Sequence, residues 1–168
     1  MKRFLSFALV IFGFSMLSFA QVSATAQATA TIIKPITISK TIDMNFGNVS
    51  VSSVGGTIIL APNSTRSITG GVTLPNFNVG TVTAASFKVT GANNYTYSIT
   101  VPSTPTVVKH STDQMSIDTF ISDPSLIGTI QSNGEQVINV GATLTVVANQ
   151  PAGVYISDTP FTVTVNYN

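Results

Sequence analysis

Along most of the chain beyond residue 24, apolar and polar residues alternate with a period of two. The longest set is Ile138, Val140, Ala142, Leu144, Val146 and Ala148, ended by Asn149-Gln150-Pro151-Ala152-Gly153. Phe161, Val163, Val165 and Tyr167 alternate with Thr162, Thr164, Asn166 and Asn168 up to the last residue. Ala85, Phe87 and Val89 alternate with Ser86, Lys88 and Thr90, and Tyr95, Tyr97, Ile99 and Val101 with Thr96, Ser98 and Thr100. Ile42, Met44 and Phe46 repeat the pattern, whereas Met115, Ile117 and Ile121 follow it less cleanly. Successive side chains of an extended strand point to opposite faces, so each set predicts a strand with one apolar face. Gly91-Ala92-Asn93-Asn94, rich in residues that tolerate positive φ, joins two of these runs and predicts a β-hairpin.

Turn signals separate the runs: Gly55-Gly56, Pro62-Asn63, Gly70-Gly71, Pro75-Asn76, Pro102 to Pro105, Asp123-Pro124 and Asn133-Gly134. Their spacing fits short antiparallel strands. No window carries a capped amphipathic helix, and the best place for a short helical turn is Asp123 to Ile127. The pattern predicts an all-β chain, an antiparallel β-sandwich in one domain over residues 21–168. In the segment 21–33, Ala24, Ala26, Ala28, Ala30 and Ile32 share one parity, with Thr25, Gln27, Thr29 and Thr31 on the other. Two readings stand side by side: a first strand of the chain's own sandwich after a short leader, or an extension donated to a neighbouring subunit by β-augmentation.

The N-terminus changes the picture. Lys2 and Arg3 precede an apolar run from Phe4 to Phe14, and Ser18 and Ala20 flank Phe19 as small residues at a cleavage site. This is the order of a signal peptide, expected to span residues 1–20, with a second cleavage site after Ala24. The apolar run is too short for a membrane span, so the expectation is an exported protein of the periplasm, cell surface or medium, with no membrane insertion after cleavage. Beyond residue 20, Lys34, Lys40, Arg66, Lys88 and Lys109 face Asp43, Asp113, Asp118, Asp123, Glu135 and Asp158, a net charge of −1. Such scattered charge gives no footprint for nucleic acid. With no cysteine in an exported chain, packing and hydrogen bonds alone must hold the fold.

Candidate chemistry is sparse. His110 is the only histidine, expected on a solvent-facing loop, and without cysteine it cannot assemble a common zinc site. Asp113, Asp118 and Asp123, spaced by five, match no calcium loop. Gly55-Gly56 and Gly70-Gly71 precede no helix and read as hairpin turns or bulges. No catalytic set, metal site or cofactor is expected.

Two segments carry a resemblance. Ile42-Asp43-Met44-Asn45-Phe46-Gly47-Asn48-Val49 resembles the early-strand signature of fimbrial subunits and spore coat protein U-type proteins. Gly153-Val154-Tyr155 with Phe161 to Tyr167 is similar to the pilin C-terminal strand, with its upstream glycine and penultimate tyrosine. The whole of residues 24–168, including Gly71-Val72-Thr73-Leu74-Pro75 and Thr83 to Phe87, resembles a secreted bacterial domain-of-unknown-function family near that group. The resemblance implies an immunoglobulin-like β-sandwich, export, and polymerisation by strand exchange with help from a periplasmic chaperone. It also implies that Phe161, Val163, Val165 and Tyr167 are the positions a chaperone or subunit pairs with. The expected function is therefore a non-enzymatic structural or adhesive surface subunit, fimbria-like or coat-like. The alternative is a monomeric exported module that binds a glycan or an envelope or host protein, with Tyr95, Tyr97 and Tyr155 as its aromatic platform.

Overall fold

The computed structural model describes residues 21–168, and the expected signal peptide lies outside the described residues. Residues 21–32 form no strand and every side chain among them is exposed. Thirteen strands follow in the compact unit from Ile33 onward, and no helix occurs among the described residues. They are β1 (Thr37–Ile42), β2 (Asn45–Phe46), β3 (Ser50–Leu60), β4 (Arg66–Thr73), β5 (Val82–Thr83), β6 (Ala85–Thr90) and β7 (Thr96–Thr100). Then come β8 (Thr106–His110), β9 (Asp113–Asp123), β10 (Ile127–Thr129), β11 (Glu135–Val146), β12 (Ile156–Ser157) and β13 (Thr164–Tyr167). All pairings are antiparallel.

The largest sheet runs β1-β6-β11-β9-β8-β12 and curls into a half-barrel, with β3 and β4 attached to β11. A second sheet runs β10-β7-β13, and β2 pairs with β5. The alternating run around Ile138 forms β11, the strand that organises the large sheet. One edge of β11 pairs with β9. Its other edge is shared in sequence, Glu135–Val140 by β6 and Ala142–Val146 by β3. Gly141 stands at this fork, and a Cβ there would run into the Leu60 carbonyl oxygen and the Ala61–Pro62 peptide.

The core is one cluster that draws on both larger sheets. Phe87, Val89, Ile138, Val140 and Leu144 from one join Tyr97, Ile99 and Val165 from the other, with Val163 just ahead of β13, in a single cluster. Burying the side chain of each large aliphatic residue contributes about 1.5–3 kcal/mol, which a chain without disulfides must rely on.

Two expectations are corrected, and a third is decided between its alternatives. The turn at Gly91–Asn94 does not close a hairpin, because β6 pairs with β1 and β11 while β7 pairs with β10 and β13. The two runs are apolar on one face each, but they belong to different sheets. The turn is held by Asn94 N donating to Ile130 O at 2.8 Å and Gly91 N donating to Gly134 O at 3.1 Å. The segment Asp123 to Ile127 is no helical turn: Ile127 opens β10, which lies beside β7. Of the two readings of the glycine pairs, hairpin turns or bulges, the second holds: they lie inside β3 and β4 in a bulged ladder, Gly56 opposite Gly70.

Candidate functional site

The C-terminal run 161–168, of which Thr164–Tyr167 form β13, is built as the alternation requires. Val163 and Val165 are buried, Phe161 and Tyr167 are half-buried, and Thr162, Thr164, Asn166 and Asn168 are exposed. One edge of the strand pairs with β7, from Thr164 opposite Thr100 to Tyr167 opposite Tyr97. Among the described residues, the other edge pairs with no strand. The side chains named as recognition positions therefore face the core: Phe161 packs edge-on to Phe87 at 6.3 Å and tilted on Phe120 at 4.9 Å. What the strand offers a partner is its free backbone edge and the hydroxyl and amide side chains of its outer face.

β1 provides a second open edge beside it. It pairs with β6 on one side only and approaches β13 without pairing. Tyr167 ties the two together. Its hydroxyl accepts from Ala92 N at 2.6 Å and donates to Lys34 O at 2.9 Å, just ahead of β1, and its ring lies 5.8 Å from Tyr95. Gly91 passes so close to this hydroxyl that a Cβ would collide with it. A seam between two unpaired strand edges, bridged by one phenol, thus lies at this end of the molecule.

The N-terminal positions Ala24, Ala26, Ala28, Ala30 and Ile32 belong to no sheet, and all are exposed. Sequence reasoning did not single out β1, although Ile36 and Ile38 alternate with Thr37 and Ser39 and both pack against the core. That pattern was the signal for it. The role of the Lys34 carbonyl had no sequence signal, because a backbone acceptor is chosen by tertiary placement.

The three tyrosines of the aromatic-platform reading are not equivalent. Tyr97 is wholly buried and its hydroxyl donates to Gln136 Oε1 at 2.7 Å; burial pushes its pKa up to about 12. Tyr155 accepts from Gln150 Nε2 at 2.9 Å and donates to Pro151 O at 2.8 Å, and Tyr95 alone is exposed. His110 is not on a loop: it ends β8, half-buried, its ring 5.5 Å from Tyr155 and beneath Gly153. Asp113 pairs with it across the β8–β9 turn, and Asp118 accepts from its neighbour Thr119 at 2.9 Å. Among the described residues no group of three or more His, Asp and Glu side chains could hold a metal ion.

The model of one family, described as Domain of unknown function (DUF4402), matches residues 36–167, which takes in every strand and leaves out the exposed N-terminal segment. No curated protein and no solved structure matches the chain significantly.

Proposed function

The chain belongs to the DUF4402 family, and we propose that it is an exported, non-enzymatic structural subunit that assembles through its terminal segments. On this reading the two larger sheets are the layers of an immunoglobulin-like sandwich, sharing the core that Tyr97, Val165, Phe87 and Ile138 form. The subunit is fimbria-like or coat-like, works at the periplasm or cell surface, and polymerises with copies of itself or is held beforehand by a periplasmic chaperone.

One observation carries the reading. Residues Ala24 to Ile32 have the alternation of a strand yet join no sheet and are exposed, while among the described residues β13 and β1 each leave one edge without a strand. A strand-forming segment in water leaves its backbone donors and acceptors to solvent, and an open sheet edge presents the complementary row. Supplying one to the other between subunits satisfies both, the logic of β-augmentation.

The test uses prolines, which cannot donate to a strand ladder. In the purified chain, Ala26→Pro with Ala30→Pro alters only exposed positions, so the folded unit keeps its stability. The unmodified chain is expected to give multimers that survive detergent and dissociate on boiling, as light scattering and gel mobility read them. The proline variant is expected to be monomeric under the same conditions. Identical monomers in both would overturn the proposal and turn attention to ligands.

A further inference from the structure

Lys34 is where the N-terminal segment meets the folded unit, and Tyr167 holds it there. The phenol hydroxyl donates to Lys34 O at 2.9 Å and accepts from Ala92 N at 2.6 Å. One oxygen thereby binds the lead into β1 and the turn after β6 to the end of β13. The ring is held too, edge-on to Tyr95 at 5.8 Å. Gly91 passes so close to the hydroxyl that a methyl there would displace it. Pro35, with its φ fixed, follows the bonded carbonyl. These restraints converge on one peptide at the mouth of the seam between β1 and β13.

The seam is narrow. β1 and β13 come within 8 Å of each other, Cα to Cα, without pairing. A strand hydrogen-bonded to both would hold them about 9.5 Å apart, two ladder spacings. While they lie so close, no third strand fits between them. The chain's own segment behaves accordingly. Residues 21–32 are tethered beside the two edges, where their effective concentration is high, yet they join neither.

We propose that Tyr167 is a clasp on the strand-accepting seam. The phenol bridge keeps the free subunit closed, and a donated segment enters only when the bond to Lys34 breaks and β1 moves away from β13. This control presupposes that the chain is a strand-exchanging subunit, and adds a regulated step to that exchange. Opening leaves the Lys34 carbonyl and the Ala92 amide without the phenol, a cost that the ladders formed by the incoming backbone offset. Because only open subunits accept a strand, the apparent affinity for the donor is lowered by the open fraction. Removing the hydroxyl raises that fraction.

The acceptor for the test is the purified chain carrying Ala26→Pro and Ala30→Pro, whose own segment is disabled. The probe is a fluorescent synthetic peptide of residues 22–33, followed by anisotropy in a stopped-flow instrument. With the clasp intact, the association rate is expected to level off as peptide concentration rises, because opening limits it. Adding Tyr167→Phe should tighten binding by about tenfold or more, the worth of two ordinary hydrogen bonds, and raise the limiting rate. Gly91→Ala keeps the phenol but displaces its hydroxyl, and should act in the same direction. Gly141→Ala, destabilising at the fork of the large sheet, should bind the peptide as the acceptor without it does. Binding by Tyr167→Phe that is equal or weaker would overturn the clasp and leave strand exchange standing. A matching gain in Gly141→Ala would do the same, by tracing the effect to lost stability. Peptide binding to none of these chains would overturn strand exchange and the clasp together.

Discussion

Within the core, the Tyr97 hydroxyl donates to Gln136 Oε1 and stays protonated up to about pH 12, because burial disfavours the phenolate. In the unfolded chain the same group ionises near pH 10. Between those values the unfolded state binds fewer protons than the folded one, so stability falls as pH rises, and is unaffected by this group below pH 10. Chemical denaturation at pH 9 and pH 11.5 should show the loss, on the order of 2 kcal/mol, and Tyr97→Phe should flatten it. At Gly141 the constraint is space. Gly141→Ala drives a methyl into the Leu60 carbonyl, and a cost of about 2–4 kcal/mol in urea denaturation is expected.

Among the elements, β13 depends on the Tyr167 hydroxyl, the group that connects the strand to Lys34 and the 91–94 turn. Tyr167→Phe removes a donor and an acceptor at once, leaving the Ala92 amide without that partner. A loss of about 1–3 kcal/mol is expected, together with faster hydrogen exchange at Ala92. How far such elements could be read from sequence depended on whether their ladders were regular. β11 and β13 were legible because each keeps one apolar face throughout. β9 was not, because the ladder shifts between Asp118 and Ile121 and Thr119 takes φ 49°, so Phe120 turns inward where the earlier parity predicted Ile121. A bulge inserts one residue and reverses every later position, and no side-chain pattern announces it beforehand. The hairpin expected at Gly91–Asn94 failed for a related reason. Period-two patterning states that a strand has an inner face, but not which sheet it joins.

Taken whole, the molecule was legible as all-β, and its C-terminal strand as one with a free edge. The seam between β1 and β13 was not, since it arises where chain segments distant in sequence meet without pairing. The fork at Gly141 adds a kinetic consequence. β3, β6 and β9 all wait for the same late strand, so none of the sheet's central ladders can close until residues 135–146 are present. Pairings this distant in sequence fold slowly. A chain emerging N-terminus first during synthesis therefore leaves β3, β6 and β9 without their shared partner until residues 135–146 appear, the state in which β-proteins aggregate.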